Sequence, residues 1–251
     1  MLFTDRLLFL HVPKTGGTSA TSFLIRNLPG RVTLTEPAEF PPEARDIPLP
    51  ARLKLQLRRL RRKAGFLRHP HLRRIAGHRH ETLQQACEAL EHLGRRLTDF
   101  EAIIAVIRNP YDLEVSRFHF FQRGHLGVPG LANEYAEELA QSGDFTGFAM
   151  RAAYHGQLPG RIEDWFEIAG RRPANLHILR FETLQSDLAQ VLAPYCRIVS
   201  PLPRLNASTR APYKDYLTPA IEEAIYNKYR WLFEQGFYPR ERFVKPAQSD
   251  R

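Results

Sequence analysis

Cysteine is almost missing from this chain: Cys87 and Cys196 are the only two among 251 residues, far apart and in neither metal-binding nor redox spacing. That argues against a disulfide framework, and the two thiols read as buried or incidental. Long apolar runs are missing too. The first hydrophobic stretch, Leu7 to Val12, is too short to export the chain or to span a membrane, and Met1-Leu2-Phe3-Thr4-Asp5-Arg6 lacks the basic start of an export leader. A cytosolic location with no membrane anchor is the expectation. There is no excess of Gly or Ser, no low-complexity tract and no internal repeat, so nothing points to disorder.

Acidic residues are the scarcer charge, 27 against 36 Lys and Arg, which leaves a formal net charge of +9 and a pI near 9.8. Such a balance favours anionic ligands, whether nucleotide, sulfated glycan, nucleic acid or acidic lipid. With 43% hydrophobic and 25% charged residues the composition is that of an ordinary globular protein. The length suits one α/β domain over 1–251.

Hydrophobic patterning sets out the elements. Leu7 to Val12 and Ala102 to Ile107 are short apolar runs of the kind that form buried parallel strands; Arg31 to Thr35 and Leu176 to Leu179 are further strand candidates. Helices are expected over Thr18 to Leu28, Thr82 to Leu93, Asn133 to Gln141, Phe145 to Tyr154, Thr183 to Leu192 and, as one long element, Pro219 to Phe233. Asn109 followed by Pro110 starts another, running through Phe121, because proline at the first helical position gives up an amide that would be unpaired anyway. Pro37 to Pro50 reads as irregular connection. Strands alternating with helices imply a mostly parallel sheet covered on both faces, with ligands at the carboxyl ends of its strands.

The first strand runs into Pro13-Lys14-Thr15-Gly16-Gly17-Thr18-Ser19 and then a helix. Two glycines let the backbone wrap an anion, and the amides of Thr15, Gly16, Gly17, Thr18 and Ser19 would point at it from a helix N-terminus. A Walker A loop ends Gly-Lys-Ser/Thr, whereas Lys14 here precedes both glycines, and no clear Walker B carboxylate appears.

This loop resembles the 5′-phosphosulfate loop of sulfotransferases that use 3′-phosphoadenosine 5′-phosphosulfate (PAPS), especially the heparan sulfate 2-O-sulfotransferase branch and its small bacterial relatives. The second motif of that family is similar as well: Arg108 ends a buried strand and Ser116 follows eight positions later on the next helix. The resemblance implies a P-loop-NTPase-like three-layer fold, PAPS as co-substrate, PAP as product, no metal, and Arg108 with Ser116 on the 3′-phosphate. A guanidinium forks onto phosphate oxygens and a hydroxyl adds one more bond. Arg210, in Asn206-Ala207-Ser208-Thr209-Arg210, matches the place where relatives cover the nucleotide. Relatives often carry an Asp after the aromatic residue of the final helix; this chain has Leu232.

In sulfuryl transfer charge builds on the leaving oxygen, so a cation there lowers the barrier, and Lys14 is the candidate. A histidine is the usual base for the acceptor hydroxyl. Gly77-His78-Arg79-His80 occupies the position where the family carries its base, which puts His78 first and His80 second; His11 is expected to pack or hydrogen-bond. The acceptor is expected to be a hydroxyl on a carbohydrate, with an anionic glycan among the candidates.

Ten Lys or Arg and no acid lie between Arg52 and Arg74, with Leu53, Leu57 and Leu60 on one helical face. The stretch reads as an inserted basic amphipathic helix that is a solvated face, a contact for an acidic acceptor, or a contact for a membrane surface. Only Phe66 interrupts it, which argues against nucleic-acid reading. Two alternatives stay open: a P-loop-type kinase, and a non-catalytic polyanion-binding module.

Overall fold

The computed structural model describes residues 1–36, 71–123, 134–154, 161–205 and 210–241. The Pro-rich stretch, the basic run up to residue 70 and 206–209 lie outside the described residues.

Strand β1 is Leu2–Phe3, β2 Leu7–Leu10, β3 Val32–Glu36, β4 Leu72–Ala76, β5 Ala102–Ile107 and β6 Leu176–Arg180. The helices are α1 Gly17–Asn27, α2 Leu83–Glu91, α3 Pro110–Gln122, α4 Glu134–Gln141, α5 Phe145–Arg151, α6 Leu184–Leu192, α7 Pro219–Lys228 and α8 Arg230–Glu234. The chain packs as two compact units. The first holds every strand with α1, α2 and α6; the second holds α3, α4, α5, α7 and α8.

In the first unit the strand order is β4-β3-β1-β2-β5-β6. β2 pairs parallel with β5, β5 with β6, and β3 with β4, while β1 is antiparallel to both its neighbours. The two reversals through β1 cancel. Five strands therefore point the same way, and the expected mostly parallel α/β sheet is what forms. Every residue of β2 and β5 is buried, so both faces of the sheet centre are covered. On one face Phe23, Leu24 and Leu28 from the α1 region and Leu184, Leu188 and Leu192 of α6 pack with Leu7, Phe9, Ile104 and Val106. Each such large side chain contributes roughly 1.5–3 kcal/mol by leaving water.

Two strands differ from the sequence expectation. β1 is only two residues long, too short for a period to register. β4 occupies the end of the basic run expected to be helical: Leu72, Arg73, Arg74 and Ile75 pair with Val32 to Thr35 of β3. It is an edge strand, and edge strands carry charge that blunts pairing with another sheet.

The second unit is helical. Phe118, Ala136, Leu139, Ala140, Phe148 and Ala152 form its apolar core. Asn109 caps α3 as expected, its Oδ1 accepting from the amides of Tyr111 at 3.0 Å and Asp112 at 3.4 Å. The long final helix is broken at Tyr229 (φ −113°, ψ 24°) into α7 and α8. The Tyr229 phenol is buried on Glu114, whose carboxylate also takes Arg117 Nη1 and Lys228 Nζ, each at 2.6 Å.

Candidate active site

Because β2 to β6 run in one direction, the segments leaving β2, β4, β5 and β6 emerge on one edge of the sheet. Those segments are the loop of Lys14, the stretch from Gly77 to His80, Arg108, and Phe181.

The loop is built on two left-handed residues, Lys14 at φ 63° and Gly16 at φ 85°. A lysine there is strained by about 1–3 kcal/mol and persists where its surroundings hold it. Arg108 does so, donating from Nη1 to the Lys14 carbonyl at 3.0 Å. Gly16 caps α1, accepting the Ala20 amide at 3.0 Å. The amides of Gly17, Thr18 and Ser19 form the first turn, which contains no acid; a turn of that kind can hold an anion. Both glycines are also demanded by contact. A Cβ on Gly16 would lie 2.7 Å from the Phe181 ring, and one on Gly17 would lie 2.0 Å from His11 Cδ2. Thr15 turns its hydroxyl inward to the Val12 carbonyl at 3.1 Å, so what it offers a ligand is its amide. Ser19 Oγ accepts the Leu205 amide at 3.2 Å.

The Gly77–His80 segment closes on the loop from β4. His80 Nδ1 lies 2.9 Å from the His11 carbonyl oxygen, and its ring meets the buried His11 ring edge-on at 4.6 Å. A carbonyl only accepts, so Nδ1 carries the proton and Nε2 of the neutral His80 ring carries the lone pair. Arg79 donates from Nε to His11 Nδ1 at 3.3 Å and from Nη2 to Thr18 Oγ1 at 3.1 Å. His11 therefore has the packing and hydrogen-bonding role expected of it. His78 has an exposed side chain and a pinned backbone: its amide donates to Glu81 Oε1 at 3.2 Å and its carbonyl accepts from the Thr35 hydroxyl at 2.9 Å.

Arg108 lies with its guanidinium carbon 4.2 Å from the centroid of the Phe181 ring. Phe181 thus backs both Arg108 and Gly16. Lys14, Arg79 and Arg108 bring three cations to this edge. Ser116, half-buried on α3, and Arg210, paired with Asp112, belong to the second unit. Arg210 Nη1 is buried with no hydrogen-bond partner among the described residues.

Residues 96–199 match the sulfotransferase domain family. The sulfotransferase match includes Arg108 and Ser116 and begins beyond the loop and the two histidines. No curated protein matches the chain. Among solved structures, a sulfotransferase from Alicyclobacillus acidocaldarius is similar at 13% identity and a TM-score of 0.42, over 96% of this chain and 98% of that one. Mouse sulfotransferase SULT7A1 complexed with PAP is similar at 16% identity and a TM-score of 0.48, over 93% and 88% respectively.

Sequence reasoning assigned no role to Arg79 or Phe181, because their contacts are not local: Arg79 reaches partners 61 and 68 positions away. No helix among the described residues is long and apolar enough to cross a membrane. Cys87 and Cys196 are free and half-buried, and burial pushes both thiols up.

Proposed function

We propose that this chain transfers a sulfuryl group from PAPS to an acceptor hydroxyl. The observation that carries the reading is the meeting, at the carboxyl edge of a parallel sheet, of a Lys-led anion cradle, Arg108 and a histidine with a fixed tautomer. The family match over 96–199 supports it. In the reaction the acceptor oxygen forms a bond to sulfur, and the bond from sulfur to the bridging phosphate oxygen breaks. The acceptor proton goes to the base and PAP departs.

The amides of Gly17, Thr18 and Ser19 hold the 5′ end, with those of Thr15 and Gly16 on the approach, and the Lys14 ammonium neutralises charge on the leaving oxygen. The family resemblance assigns Arg108 and Ser116 to the 3′-phosphate. Arg210 is a further candidate: its Nη1 is a buried orphan, and an unpaired buried donor costs about 1–3 kcal/mol that a phosphate oxygen recovers. Of the two histidines, His80 has the geometry of a base: Nδ1–H on a backbone carbonyl leaves Nε2 as the acceptor. The sequence order, His78 first, is reversed in this reading.

The acceptor is proposed to be a carbohydrate hydroxyl, with an anionic glycan favoured by charge. The basic run enters β4, where Arg31, His71 and Arg73 line an open cleft of about 510 Å³.

The test is transfer of labelled sulfate from PAPS to a panel of glycan, phenolic and lipid acceptors. Transfer should fall at least 100-fold in Lys14→Ala and in His80→Ala, with PAP binding kept in the latter. A Lys14→Ala enzyme as fast as the parent overturns the mechanism, and loss in His78→Ala alone returns the base to His78.

A further inference from the structure

We propose that Arg79 is the positioning residue of the anion cradle: its guanidinium sets the Thr18 hydroxyl as a hydrogen-bond donor toward a bound 5′-phosphoryl group and holds the His11 ring against Gly17. The inference rests on the donor reading above.

The argument is one of donor and acceptor capacity. A guanidinium only donates, so each of its contacts consumes a lone pair on the partner. Arg79 Nη2 takes a lone pair of Thr18 Oγ1 at 3.1 Å, which turns the Thr18 O–H away from the guanidinium and leaves it able to donate. Thr18 lies in the first turn of α1, beside the amides of Gly17 and Ser19, so that donor joins the cradle. Arg79 Nε takes the Nδ1 lone pair of His11 at 3.3 Å, which places the proton of the neutral ring on Nε2. That edge of His11 faces Gly17: a Cβ there would be 2.2 Å from Nε2. One cation thus orients the Thr18 hydroxyl and fixes the ring that walls Gly17.

The placement also joins the two halves of the site. Arg79 neighbours His80, whose Nδ1 bonds the carbonyl of the same His11 whose ring Arg79 holds. The segment carrying the base and the loop carrying the cradle are thus tied at one residue. Lysine cannot reproduce this, since a point donor cannot bridge two acceptors in the fixed fork of a guanidinium.

Calorimetric titration tests the assignment, using PAP and adenosine 3′-phosphate, which lacks the 5′ group, on the full chain. Arg79→Gln should weaken PAP about 10- to 100-fold, the range for bonds to a charged group, and leave adenosine 3′-phosphate within about 3-fold. Arg79→Lys, the second variant should the first not fold, should still weaken PAP about 3- to 10-fold. Thr18→Ala in the Arg79→Gln background should add less than about 3-fold, since the hydroxyl acts through the guanidinium. Unchanged PAP affinity in Arg79→Gln, an equal loss for both nucleotides, or multiplying effects in the double variant overturns the proposal alone. A parent protein that binds no PAP overturns the donor reading and the proposal with it.

Discussion

Gly17→Ala isolates one contact in the candidate site. Gly17 opens α1 outside the left-handed region, so alanine meets no backbone penalty and gains about 1 kcal/mol of helix propensity. Against this, the new Cβ would sit 2.0 Å from His11 Cδ2 and 2.2 Å from Nε2. The ring has little room to retreat, being 5% exposed, against the His80 ring and held at Nδ1 by Arg79. Overpacking costs about 1–3 kcal/mol, and breaking the Arg79–His11 bond about 1.5–3 kcal/mol more. The net is a loss of roughly 1.5–5 kcal/mol. A loss of about 3 kcal/mol lowers the Tm of a chain this size by about 6–12 °C. Thermal melts by circular dichroism read this directly. His11→Ala in the same background removes the clashing ring, so the double variant should be more stable than the sum of the singles by at least about 1 kcal/mol. A Gly17→Ala melt within about 1 °C of the parent, or simple additivity of the pair, refutes the packing argument.

Two further outcomes follow from the second unit. Glu114→Gln leaves the buried Arg117 and Lys228 without their anion and should cost about 3–5 kcal/mol in urea unfolding. Burial pushes the Glu114 carboxyl up, but Arg117 and Lys228 outweigh it and hold the group below its ordinary value. The stability it supplies is therefore complete above the unfolded carboxyl value of about 4.3 and is lost as pH falls through the folded one, so the variant's acid limb should be shallower than the parent's. Asn109→Ala removes the acceptor of the Tyr111 and Asp112 amides and should cost about 1 kcal/mol in the same measurement.

What the sequence made legible were features with a local cause. Leu7 to Leu10 and Ala102 to Ile107 are uninterrupted apolar runs, so burial on both faces was readable. The Asn109-Pro110 start of α3 was readable from cap chemistry, and the loop from its glycines. β4 was not, because an edge strand needs few apolar residues and its arginines gave a helix-like basic run. The break at Tyr229 was hidden for a different reason: the local pattern is continuous there, while the Tyr229 phenol bonds Glu114, 115 positions away. Of the site, Lys14, Arg108 and the histidine segment could be named from motifs. The proposed preference for His80 over His78 could not, since it rests on a hydrogen bond to a carbonyl 69 positions away.

The central claim concerns a 3′-phosphorylated donor, and competition among PAP, ADP and ATP for the parent protein and Arg108→Ala addresses it most directly. The account predicts that the parent prefers PAP over ADP by at least about 10-fold, the discrimination that charge-assisted bonds to one phosphate can supply. It also predicts that Arg108→Ala abolishes the preference while the fold survives. Equal affinity for PAP and ADP, or tighter and magnesium-dependent binding of ATP, would contradict it.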